Sequence, residues 1–233
     1  MTATLRQLPR VFDPVYTSQW QNLLVTGCSY TWNNSTTDIC TWPYYLRDLG
    51  NFEQVWDCSQ GGSGPAHCFN SVINELTINQ QLTPNNTIVI VMWSSLQRFD
   101  WLCDQQTVQQ RLPNGLYDYY HFGEHASLSG WPDWSDDAIQ TMLKQYRITV
   151  DPAAQVLDNS IRIIALHNFL RQLKFNFVFV NWKDPKPYTN LLPNNPVVEQ
   201  AQTLIDPVRD LDTWTNHHGS RESDGHPTPD SHL

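Results

Sequence analysis

The sequence predicts a single α/β domain built on a mostly parallel sheet, and three observations carry that prediction. Runs at Asn22 to Thr26, Glu53 to Cys58, Ile88 to Trp93 and Phe175 to Val180 are almost continuously apolar or β-prone, the pattern of strands covered on both faces. Helix-like stretches separate these runs, so strand and helix alternate along the chain. The 233 residues, 40% of them hydrophobic, suffice for one domain with a sizeable core, and no linker divides them. A doubly wound parallel sheet within a single domain, residues 1–233, is the expected arrangement.

Each element has a local reason. The first strand, Leu23-Leu24-Val25-Thr26, runs into the small-residue turn Gly27-Cys28-Ser29, which would present a hydroxyl at the carboxyl end of the sheet, where open α/β folds place their chemistry. Trp42 to Leu49 can form a helix stopped by Gly50, and Ala66 to Leu76 a second one. The clearest helix is expected from about Asp151 to Lys174, with Asp151 as N-cap and Pro152 at the first helical position. Ile161, Ile164, Ala165, Phe169, Leu170 and Leu173 fall on one stripe of it and are its expected buried face. This helix feeds directly into Phe175 to Val180, completing half of a crossover unit.

The segment at about 96–137 breaks the rhythm. It holds Phe99, Trp101, Tyr117, Tyr119, Tyr120, His121, Phe122, Trp131 and Trp134, and it follows the third strand, where a lid or substrate wall belongs. An aromatic-rich insertion of this kind can cover a sugar ring, or it can build a subsidiary core under a long loop.

Composition excludes several classes. A formal charge of −9 with only 14 Lys plus Arg offers no clustered cations for nucleic acid or an anionic membrane surface. Met1 to Arg10 is polar and does not read as a secretory signal, and no run approaches the roughly 20 apolar residues of a membrane span. The expectation is a soluble protein, cytoplasmic or virion-associated. Five cysteines, Cys28, Cys40, Cys58, Cys68 and Cys103, are odd in number and read as reduced and buried rather than as a disulfide framework. His217, His218, Asp224, His226, Asp230 and His232 crowd the C-terminus but match no zinc spacing, so no metal is expected. No phosphate-binding glycine motif occurs, and no cofactor is expected.

Four blocks, taken in order, carry a more specific signal: Gly27-Cys28-Ser29 after the first strand, Asp57-Cys58-Ser59-Gln60-Gly61-Gly62-Ser63-Gly64 after the second, Trp93-Ser94-Ser95 closing the third, and Ser223-Asp224-Gly225-His226-Pro227 near the end. In this order and spacing, over most of its length, the chain resembles the SGNH (GDSL-like) hydrolases. That family opens on Gly-Asp-Ser, adds a glycine and then an asparagine as oxyanion donors, and closes on Asp-x-x-His, usually before proline. The resemblance implies a three-layer α/β/α sandwich with a mostly parallel, flavodoxin-like sheet. The chain departs from the pattern in having Cys28 for Asp, no asparagine after the third strand, and Asp224 two rather than three residues before His226. Short SGNH-like chains with Gly-Cys-Ser also look similar to bacteriophage-encoded proteins.

Roles follow from the resemblance. Ser29 would be the nucleophile and the first oxyanion donor through its own amide, with Gly62 the second, Gly64 its fallback, and Ser95 standing in for the asparagine. His226 would be the base and Asp224 its orienting acceptor. Trp93, Trp101, Tyr120 and Trp131 would bind substrate. The expected partner is a small-molecule or carbohydrate ester, O-acetyl groups above all, and a homo-oligomer or virion partner is left open. The competing reading treats Ser29 as an ordinary cap or turn serine, His226, Asp224, Gly62 and Ser95 as turn residues, and the whole as a non-catalytic binding module. Cys28 is expected to point into the core.

Overall fold

The computed structural model describes residues 20–28, 31, 41–61, 63–96, 98, 100–104, 125–129, 141, 145, 149, 151–181 and 190–205. Its centre is a sheet of β1 (Asn22–Thr26), β2 (Gln54–Asp57), β3 (Thr87–Trp93) and β6 (Asn176–Asn181), in the order β2-β1-β3-β6. Every pairing in it is parallel. This is the flavodoxin-like strand order. All residues of β1 and β3 are buried, as near-continuous apolar runs at the centre of a doubly covered sheet should be. β2 and β6 flank them and are more exposed.

Both faces are covered. Side chains alternate across a strand, so Leu24, Val89, Val91 and Trp93 share one face, and there they pack against Cys68 and Val72 of α2 (Pro65–Ile78), Val156, Ile163, Leu166 and Leu170 of α3 (Pro152–Gln172) and Val198 of α4 (Pro196–Thr203). Leu23, Val25, Ile88 and Ile90 point the other way, onto Trp20, Phe52, and Trp42 and Leu46 of α1 (Trp42–Gly50). Each enclosed Leu, Ile or Val contributes about 1.5–3 kcal/mol through removal from water. Three layers, α/β/α, result.

The helix ends show how the chain is punctuated. Asp151 caps α3, accepting from the Ala153 amide at 2.9 Å, with Pro152 in the first turn. Asn195 caps α4 in the same way. At the end of α1 the left-handed residue is Asn51 (φ 52°) rather than Gly50. Gly50 is required for another reason: a Cβ there would stand 2.3 Å from the Phe52 ring. The expected stripe of α3 holds at Leu170, which is buried, and at Ile164 and Phe169, which pack against the core, and is corrected elsewhere. Ile161 and Leu173 are 51% and 41% exposed, and the face buried against the sheet is Val156, Asn159, Ser160, Ile163, Leu166 and Leu170.

Within the aromatic-rich insertion, β4 (Asp100–Asp104) and β5 (His125–Ser129) form a separate antiparallel pair, with Asp100 opposite Ser129. Among the described residues no helix is long and apolar enough to cross a membrane.

Candidate active site

In a sheet of this order the crevice for chemistry opens at the carboxyl ends of β1 and β3, where the connections leave toward opposite faces. Gly27 and Cys28 lead out of β1. Gly27 has to be glycine, since a Cβ would lie 2.2 Å from Thr31 Oγ1 and 3.3 Å from Met92 Cβ. The Thr31 amide donates to the Cys28 carbonyl at 2.8 Å. Ser29, between them in sequence, lies outside the described residues, as do Gly62, Tyr120, Trp131, Asp224 and His226. Cys28 is fully enclosed beside Met92, turned into the core as expected.

The segment after β2 is fastened to this exit. Cys58 and Gln60 donate their amides to the carbonyls of Val25 and Gly27, at 2.8 and 3.1 Å. Ser63 donates its hydroxyl to the same Gly27 carbonyl at 2.9 Å. Asp57, at the end of β2, turns back to accept from the amide and hydroxyl of Ser59, while burial pushes its carboxyl up and those two bonds oppose the rise. Gly64 cannot serve as a fallback oxyanion donor. It is the N-cap of α2, and its amide is held at 2.7 Å by the Asp100 carboxylate.

After β3 the chain passes Ser94 and Ser95. Ser95 is half-buried and its carbonyl accepts from the Arg98 amide at 2.9 Å. Ser94 is 2% exposed, and its enclosed hydroxyl has no hydrogen-bond partner among the described residues. Trp93 is corrected: its ring is fully buried, edge-on to Phe179 at 5.3 Å, so it offers no face to a ligand and belongs to the core. Trp101 sits in β4, with its side chain outside what is described.

Two residues that sequence reasoning passed over, His67 and Asp100, join these segments. His67 is buried in the first turn of α2, its Nε2 at 2.9 Å from the Cys58 carbonyl. A carbonyl only accepts, so this nitrogen carries the proton. Burial holds the imidazole below its ordinary pKa, against the opposing pull of Asp100 and the Cys58 carbonyl. The Gly64-Pro65 pair, marking a helix start, places His67 in a first turn on sequence grounds. Nothing local signals Asp100, whose partners lie more than thirty positions back. Burial also pushes the Cys68 thiol up, leaving it protonated and inert.

No protein-family model matches the chain, and no curated protein matches it. What the fold and its edge define is an α/β protein with a parallel, flavodoxin-like sheet, whose segments after β1, β2 and β3 converge at one carboxyl edge.

Proposed function

We propose that the chain is an SGNH-type serine esterase acting on O-acyl esters, with O-acetyl groups on carbohydrate as the substrate class. The observation that carries this reading is the double hydrogen bond to the Gly27 carbonyl from Gln60 and Ser63. Those two residues flank Gly61 and Gly62 in sequence, and Gly27 precedes Ser29 by two. The block expected to supply an oxyanion donor is thereby tied to the block expected to supply the nucleophile, as acyl transfer requires.

In this reading the Ser29 hydroxyl attacks the ester carbonyl while His226, oriented by Asp224, takes its proton. The oxyanion is met by the amides of Ser29 and Gly62 and by the hydroxyl of Ser95. His226 then returns the proton to the leaving alcohol, and water releases the acyl group by the same steps. Losing the asparagine donor after β3 costs about 2.7–4 kcal/mol of transition-state stabilisation, part of which Ser95 recovers, so a slow enzyme is expected. The chemistry needs no cofactor, and a soluble setting in the cytoplasm or a virion goes with it.

The test is hydrolysis of a short-chain aryl ester by the purified protein. Ser29→Ala is expected to abolish turnover with the circular dichroism spectrum unchanged. Turnover surviving in that variant would assign the activity to another group. A parent protein inert on every ester would favour the second reading, an inactive SGNH-like binding module, which the missing asparagine after β3 supports.

A further inference from the structure

The first turn of α2 begins with a deficit. Its N-cap, Gly64, has no side chain to accept from the exposed amides, and Pro65 has no amide to give. Asp100 supplies what is missing from 33 to 36 positions away: one carboxylate oxygen accepts from the Gly64 amide at 2.7 Å and the other from the His67 amide at 2.6 Å. A carboxylate at this place also meets the positive end of the helix. The fit is close on both sides, since a Cβ on Gly64 would stand 3.0 Å from Asp100 Oδ2 and 3.2 Å from Arg98.

The stretch that delivers Asp100 is itself held. Asn159, buried in the middle of α3, donates its amide to the Leu96 carbonyl at 2.7 Å and the Arg98 carbonyl at 3.2 Å. Arg98 Nη1 donates to the Ser63 carbonyl at 3.2 Å. Ser63 in turn holds Gly27. His67, the other residue gripped by Asp100, reaches the Cys58 carbonyl at the opposite end of the segment after β2. Hydrogen bonds therefore run from α3 to Leu96 and Arg98, and from Arg98 through Ser63 to the exit of β1, while Asp100 reaches Gly64 directly and Cys58 through His67. Asp100 is also the first residue of β4, so the same carboxylate ties the β4–β5 pair to this edge.

We propose that Asp100 is a positioning residue: by gripping the Gly64 and His67 amides it holds the described residues on either side of Gly62 in sequence, the glycine that the esterase reading makes an oxyanion donor. This rests on the esterase reading above. A misplacement of about 1 Å in a donor is enough to cost around 10²-fold in rate, and the substrate's ground-state contacts need not change.

The experiment compares parent and Asp100→Asn on an aryl ester, with kcat expressed per serine titrated by a fluorophosphonate. Asparagine keeps one acceptor but turns an N–H₂ group toward the second amide. The expected result is a fall in kcat of about 10²-fold with KM within about twofold of the parent. A kcat within about threefold of the parent overturns the proposal and leaves the esterase reading standing. A purely structural role would lower the melting temperature and leave kcat per titrated serine alone. An inert parent sinks the esterase reading and this proposal with it. Should Asp100→Asn not fold, Gly64→Ala is the second variant, since its methyl group pushes on the carboxylate while leaving every charge in place; it is expected to give the same split of kcat from KM, and an unchanged kcat there overturns the proposal.

Discussion

Trp93 shows how one side chain can be claimed by two roles and settled by packing. It closes β3 at the edge where substrate would arrive, yet its ring is fully enclosed and stands edge-on to Phe179, 5.3 Å between centroids. That geometry is a favourable aromatic pair, worth about 0.5–1.5 kcal/mol beyond the area it buries. Trp93→Ala is therefore expected to cost about 3–5 kcal/mol of stability, read as a lower urea midpoint. A variant as stable as the parent would show that the ring is not the core element its enclosure implies. Ser94, the next residue, has the opposite character: its enclosed hydroxyl has no partner among the described residues, and a buried hydroxyl left unpaired costs about 1–3 kcal/mol. The half-buried Ser95, one residue further on, is the one that the esterase reading takes as third donor.

At the scale of elements, α3 shows what a hydrophobic stripe can and cannot tell. Its start was legible because a cap works locally: Asp151 followed by proline needs no partner from elsewhere. Its buried face was legible only in part, at Leu170, Ile164 and Phe169, because the helix has apolar residues on several sides and polar Asn159 and Ser160 on the side that faces inward. Asn159 is there to hold the carbonyls of Leu96 and Arg98, and Ser160 bonds back to the Val156 carbonyl at 2.8 Å. Hydrophobicity alone counts both as outward-facing. The corrected face makes a sharp contrast between neighbours on the helix. Ile163→Ala is expected to cost about 2–5 kcal/mol, and Ile161→Ala no more than about 0.5 kcal/mol. Chemical denaturation of the two variants checks it, and equal costs would return Ile161 to the buried stripe.

Over the whole molecule, legibility follows the range of the interaction. The strands and their parallel pairing were readable because continuous apolar runs separated by helices admit few other arrangements. The Asp100 and His67 cluster was not, because its bonds join α2 to the start of an insertion that the sequence presents only as a crowd of aromatics. That cluster makes the fold respond to pH. Burial lowers the imidazole of His67 from its ordinary 6.5, and the N-terminal end of a helix also disfavours a cation. The unfolded chain then takes up this proton at a higher pH than the folded chain, so stability is lost as pH falls below 6.5. Asp100 has the opposite sign: burial raises its carboxyl above 3.8, with His67 the chief opposing influence, so protonating it favours the fold as pH falls through that raised value. His67→Gln can keep an N–H for the Cys58 carbonyl but does not titrate. The parent is therefore expected to lose up to about 1.4 kcal/mol per pH unit relative to this variant on acidification below pH 6.5, measured by urea denaturation at a series of pH values. Parallel curves for the two proteins would mean that His67 binds its proton equally well in the folded and unfolded chain, against the effect of its burial.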